Sequence, residues 1–169
     1  MRYMLDTNIC IYAIKHKPPE VIQKFLSHDP SELCISSITY AEFMHGVEKS
    51  MAVERNRIAI TMFLSPISVL DFDTDAAEEY GKIRADLERK GTPIGPMDML
   101  IAAHAKSEDL ILVTNNTREF ERVEDLEVED WTKGIIESDL EKEGLGESSA
   151  FGNLPGPNPS MDERTGENN

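Results

Sequence analysis

Arg2-Tyr3-Met4-Leu5-Asp6-Thr7-Asn8 opens the chain and decides how the rest of it is read. A short apolar run that stops at Asp-Thr-Asn and resumes as Ile9-Cys10-Ile11-Tyr12-Ala13-Ile14 reads as a buried strand, a tight turn and a helix. In an open α/β sheet, ligands bind at the carboxyl ends of the strands, where the strand order reverses. A first strand usually lies at the centre of such a sheet, so Asp6 stands where chemistry is done. Its ordinary alternative is a local turn bond or a cap on the following helix.

Outward from this strand, helical and extended segments alternate. Lys17-Pro18-Pro19 breaks the first helix, and residues 20–27 form a short second one with Val21, Ile22, Phe25 and Leu26 on its apolar face. Leu33-Cys34-Ile35-Ser36 is a second strand. Thr39 opens a helix to about Ser50, and residues 51–64 give another whose apolar positions are Ile58, Ile60, Met62, Phe63 and Leu64. Residues 68–72 are a third strand, and 74–90 a long helix whose start is marked by Asp75 and Glu78 at capping-box spacing. The Pro/Gly loop 91–96 leads into an almost wholly apolar helix from Met97 to Ala105, with Asp98 at its start. Residues 110–114 are a fourth strand, and 126–131 a short fifth. Strands alternating with helices imply a parallel sheet with right-handed crossovers.

Of the 169 residues, 40% are apolar and 29% charged, which suits one domain of ordinary size plus an extension. Residues 1–131 form that domain. Residues 132–169 are acidic and rich in Gly and Pro, a composition expected to be disordered, although 132–143 carries a thin apolar stripe of Ile135, Ile136 and Leu140. No secretory or membrane-spanning segment is evident, so a cytoplasmic protein without membrane attachment is expected. Cys10 and Cys34 lack metal-ligand spacing and read as reduced core thiols. The net charge of −15 argues against binding nucleic acid through a broad basic face. It divides as 14 Lys+Arg against 24 Asp+Glu, or −10, in 1–131, and 3 against 8, or −5, in 132–169.

Four elements carry an acid or amide at a comparable level: Asp6 after the first strand, Glu42 early in the helix after the second, Asp98 opening the buried helix, and Asn116 just past the fourth strand. Each has a local reading. Thr39-Tyr40-Ala41-Glu42 fits a capping box, Asp98 suits a helix dipole, and Asn116 is ordinary turn chemistry. Those readings do not require three carboxylates to share one sheet edge. Carboxylates held about 4 Å apart repel by up to about 4 kcal/mol at an effective dielectric near 20, so such a cluster needs protons or a cation. All-oxygen ligand sets suit Mg²⁺ or Mn²⁺.

The stretches MLDTN, SSITYAEFMHG, KGTPIGPMDMLIAAHA and LVTNNTREFERV, in this order and spacing, closely resemble the PIN-domain ribonuclease toxins of VapBC toxin-antitoxin modules. The resemblance covers residues 1–131. It implies a three-layer α/β/α PIN fold with a four- or five-stranded parallel sheet in the order 3-2-1-4-5. It also implies Mg²⁺-dependent endoribonuclease activity on a structured RNA such as tRNA, inhibiting translation, with neutralisation by a VapB-type antitoxin and a homodimeric state. Matched motif to motif, Asp6, Glu42 and Asp98 fall on the family's metal-binding acids. Asn116 stands where many members carry a fourth acid, and Glu119 in the turn after it can compensate.

Thr7, Asn8 and Thr114 are placed to orient ligands or water, or simply to satisfy the core. His104 reads as a hydrogen-bonded core residue, His16, His28 and His45 as surface positions, and Met62, Met97 and Met99 as core filler. Arg84, Arg89, Lys90, Arg118 and Arg122 flank the expected site and can seat an RNA backbone locally. The alternative function is a catalytically silent PIN domain acting as a binding or regulatory partner, with Asn116 an early step in loss of the site; intact Asp6, Glu42 and Asp98 speak against it. An aspartyl-phosphate enzyme would need a second acid near Asp6 and a Lys after a later strand, and neither is present.

Overall fold

The computed structural model describes residues 1–133. The first strand, β1 (Tyr3–Leu5), is buried along its whole length. It pairs in parallel with β2 (Leu33–Ser36) on one side, Tyr3 opposite Leu33, and with β4 (Ile111–Val113) on the other, Tyr3 opposite Ile111. The edges are completed by β3 (Ser68–Leu70) and β5 (Val128–Glu129), giving five parallel strands in the order 3-2-1-4-5. The expected topology therefore holds, with the strand count resolved at five.

Side chains alternate across the strands and separate two cores, as a pleated strand covered on both faces requires. Tyr3, Leu5, Leu33 and Ile35 point into one core with Ile9, Ile14, Phe25, Phe43, Val47, Ile60 and Phe63. These come from α1 (Thr7–Lys15), α2 (Pro19–Ser27), α3 (Ser37–Lys49) and α4 (Val53–Leu64). Met4, Cys34 and Leu112 point the other way, onto Ile83 and Leu87 of α5 (Thr74–Lys90), Ile101 of α6 (Pro96–Ser107) and Phe120 of α7 (Thr117–Phe120). Both cysteines are free and buried. No helix of the described residues is long and apolar enough to cross a membrane.

Several local expectations need correction. The long helix α5 is capped by Asp73, whose side chain accepts from the Ala76 N–H at 3.0 Å, not through Asp75 and Glu78. Its far end closes on Gly91 at φ 64°, a left-handed position that glycine takes without strain. Met62 and Met97 are not core filler: they are 55% and 46% exposed, and only Met99 of the three is buried. Leu26 and Ile58 are also exposed, because the apolar faces of α2 and α4 are narrower than their composition suggests. Residues 130–131 are not strand, since β5 ends at Glu129 and Trp131 turns back to pack edge-on against Tyr3 and in a stack on His28. His28 is consequently half-buried, not a surface residue. The helix suggested for 132–143 lies outside the described residues from 134 onward.

Candidate active site

β1 ends by handing its chain directly to α1, and Asp6 is the residue at the junction. Its extended backbone, with φ −72° and ψ 157°, makes it the N-cap of α1, and Oδ1 accepts from the Thr7 N–H at 2.7 Å. The cap does not exhaust the side chain. Oδ2 accepts from the Thr114 hydroxyl at 2.8 Å, from the far end of neighbouring β4, and Thr114 Oγ1 accepts in turn from the Asn116 N–H at 3.1 Å. Asp6 is only 6% exposed, and burial pushes its pKa up to about 6, partly offset by the Thr114 and Thr7 bonds, with the charge of Glu42 pushing it further.

Glu42 reaches the same place from α3. The capping box proposed for it with Thr39 does not form. α3 starts earlier, at Ser37, and is capped by Ser36, whose Oγ accepts from the Ile38 N–H at 3.0 Å. Freed from capping, Glu42 accepts a hydrogen bond from the Thr7 hydroxyl across 35 residues of sequence. Thr39 is left buried, with no partner for its hydroxyl among the described residues.

Asp98 enters in the first turn of α6, which begins at Gly95-Pro96. Burial is the largest influence on Asp98, and the charges of Asp6, Glu119 and Glu42 add to it, as does a hydrogen bond to Glu119. Together they push its pKa up to about 7. Four carboxylates from β1, α3, α6 and α7 therefore feel one another at the carboxyl edge of the sheet.

Asp98 feels the charges of both Asp6 and Glu42, and Asp6 that of Glu42, at this edge of the sheet. Asn116 is different: it contributes its backbone N–H to Thr114 and stands at the start of α7 with no cap bond from its side chain. The acid that α7 brings to Asp98 is Glu119, three residues on. The helical offset is the signal for it: α7 spans a single turn, so a side chain at its third residue returns toward the edge that Asn116 leaves. Thr7 and Thr114 hold Glu42 and Asp6, whereas Asn8 has no such bond shown. His104 is a core residue, its Nδ1 2.8 Å from Ser36 Oγ and its ring edge-on to Phe72.

Among the described residues, no three His, Cys, Asp or Glu side chains already stand close enough to grip a metal ion. Each acid is turned onto another group: Glu42 onto Thr7, Asp98 onto Glu119, Asp6 onto Thr7 and Thr114. The donor set nevertheless fits a hard divalent cation, being all oxygen and including two acids, Asp6 and Asp98, that burial and then neighbouring like charge hold above the usual carboxylate range.

A central parallel sheet with acids converging on its carboxyl edge is the plan of a PIN-type nuclease. The PIN domain family matches residues 3–126, and the chain belongs to that family. It is 52% identical over 131 residues to the tRNA(fMet)-specific endonuclease VapC of Salmonella typhimurium, covering 78% of this chain and 98% of that protein. It is 50% identical over 131 residues to ribonuclease VapC2 of Haemophilus influenzae, with the same coverage. The crystal structure of DNA-bound VapBC from Salmonella typhimurium superposes with a TM-score of 0.73 over 78% of this chain and 98% of that one, at 52% identity. Within the PIN family, this places the chain among the VapC ribonucleases.

Proposed function

We propose that the acid edge is the catalytic site of a divalent-metal-dependent endoribonuclease, with Asp6, Glu42 and Asp98 as metal-binding acids, Glu119 supporting Asp98, and Asn116 beside them. The observation that carries this reading is the pairing of burial with uncompensated like charge at Asp6 and Asp98. Fold stability alone gives no reason to hold such groups together, since buried charges normally find partners of opposite sign.

Mg²⁺, or Mn²⁺ in its place, would supply Lewis acidity toward a phosphate oxygen and toward water. The chain's own residues prepare for it. Asp6 is fixed through both oxygens and acts as a rigid anchor. Glu42 has one oxygen engaged by Thr7, which leaves the other free to turn toward the centre of the site. With a pKa near 7, Asp98 carries a proton much of the time at neutral pH and is hydrogen-bonded to Glu119. A bound cation would favour the deprotonated form of Asp98.

The substrate reading comes from the relatives: an endonuclease named for tRNA(fMet), 52% identical over nearly its full length, points to initiator tRNA as the RNA cleaved. Solved VapBC complexes that superpose on this chain point to a VapB-type antitoxin as partner in a toxin-antitoxin module. The domain is taken to end near Trp131, whose ring closes the first core, leaving 132–169 outside the catalytic unit. The test is to offer purified protein initiator tRNA, elongator tRNAs and ribosomal RNA in Mg²⁺. Discrete cleavage of initiator tRNA alone is expected, and uniform degradation of all three would overturn the substrate assignment.

A further inference from the structure

We infer that Arg118 is the residue that seats an RNA phosphate beside the acid edge. This rests on the ribonuclease reading above and names the group by which an acidic chain can hold a polyanion at that site. A surface with a net charge of −15 repels RNA, and the carboxylates at the site add to the repulsion where the backbone must approach closest. Affinity must come from local cations whose charge is not already spent.

Most of the cations near the expected site are spent. Arg84 donates to Glu88 at 2.8 Å and to Tyr80 at 3.0 Å. Lys90 bridges Asp86 and Glu124, both at 2.6 Å, and Arg89 lies 3.6 Å from Asp86. Lys82 and Lys106 converge on Glu79 at 2.7 and 3.7 Å. Arg122 donates to the Pro93 carbonyl at 2.9 Å, which braces the loop before α6. Arg118 is exposed, and no carboxylate within ion-pair reach of it is found among the described residues.

Its support is rigid. Phe120 is fully buried in the second core and anchors α7. The Asn116 carbonyl accepts from the Glu119 N–H at 3.2 Å, while the Asn116 N–H donates to Thr114, the residue that holds Asp6. At about 100° per residue, Arg118 lies opposite Phe120, toward solvent, and a quarter turn or so from Glu119, which reaches Asp98. The guanidinium therefore stands on the rim of the acid edge, carried by an element bonded to its centre. A planar, permanently charged fork there binds a phosphate through two parallel N–H···O bonds.

The test is binding of fluorescein-labelled initiator tRNA by the full chain in Ca²⁺, followed by anisotropy at several salt concentrations, with single-turnover cleavage at saturating protein in Mg²⁺. Arg118→Gln should weaken binding about tenfold and lower the salt slope by about 0.7 to 0.9, the loss of one phosphate contact. Its cleavage rate at saturation should stay within about twofold of wild type. Arg118→Lys should keep the slope while binding more weakly than wild type, because the charge stays and the fork is lost. Arg57→Gln, whose guanidinium is on α4 and pairs with Glu48 of α3, should leave the slope unchanged. An unchanged slope in Arg118→Gln, or a slowed cleavage rate with unaltered binding, overturns the inference while the ribonuclease reading stands. A wild-type chain that neither binds nor cleaves the RNA overturns both.

Discussion

β1 and β2 end in the same way and to opposite purpose. Asp6 caps α1 and Ser36 caps α3, side by side on the sheet edge, and each is also bonded to a residue far away in sequence, Thr114 for Asp6 and His104 for Ser36. At Ser36 the groups are neutral: burial holds the His104 pKa below its usual value, so the pair stays uncharged and the edge is settled. At Asp6 an acid replaces the hydroxyl, other acids face it, and two pKa values rise toward neutrality. The same backbone device is structural where its side chain is neutral and, in the proposed site, functional where it is charged and left uncompensated.

Exchanging the charge is the strongest way to break the comparison. Asp6→Asn should lower RNA cleavage by about a thousandfold or more, as removal of a metal-binding acid does, yet leave the metal-free melting temperature equal or higher because repulsion is relieved. Ser36→Ala should do the reverse, costing about 0.5 to 2 kcal/mol of stability as a lost N-cap does, with cleavage per folded molecule nearly unchanged. Cleavage rates and thermal melts of both variants, set side by side, separate the two roles.

A pH series of melts sharpens it. Asp6 and Asp98 have folded pKa values near 6 and 7, raised above 3.8, so the folded state binds more protons than the unfolded one across that interval. Their contribution is fully present below about pH 4 and is lost as pH rises through 6 and 7. For buried Asp6 this loss is on the order of 3 kcal/mol. Melting in EDTA should therefore show a decline between about pH 4 and 7 that saturating Mg²⁺ removes and that Asp6→Asn flattens. A metal-free profile identical in wild type and variant would count against the electrostatic account.

Smaller effects follow. Asn116→Asp adds one negative charge near the acids, and even a Coulomb gain of about 1.4 kcal/mol lowers the metal concentration for half-maximal cleavage about tenfold. A metal titration that does not move would place Asn116 outside the cation's surroundings. Removing residues 134–169 should change neither cleavage nor melting midpoint, because a Gly-, Pro- and acid-rich stretch has little with which to extend the core; a drop of several degrees on truncation would show the opposite.

How much of this the sequence carries differs between backbone and side chains. A parallel sheet of alternating strands and helices was legible in short apolar runs followed by Asp-Thr-Asn or Thr-Asn-Asn, whereas the order 3-2-1-4-5 came from the family resemblance. Side-chain partners were less legible. Thr39 and Glu42 have capping-box spacing, but where α3 begins depends on Ser36, and that in turn on how β2 ends against its neighbours. Met62 and Met97 look like core by composition, yet their exposure is set by which face of each helix meets the sheet. Glu119 was legible only as a substitute for Asn116, since its approach to Asp98 depends on the single turn of α7.

The proposed site needs a divalent cation, held by the acids at the sheet edge, for hydrolysis. Mg²⁺ or Mn²⁺ binding measured by titration calorimetry on wild type and Asp98→Asn, with RNA cleavage followed on the same preparations in metal and in EDTA, tests this requirement most directly. The account predicts that wild type binds metal with release of a proton near pH 7, cleaves only when metal is present, and loses both properties together in Asp98→Asn. Cleavage by wild type that persists in EDTA, or metal binding and cleavage both retained in Asp98→Asn, would contradict it.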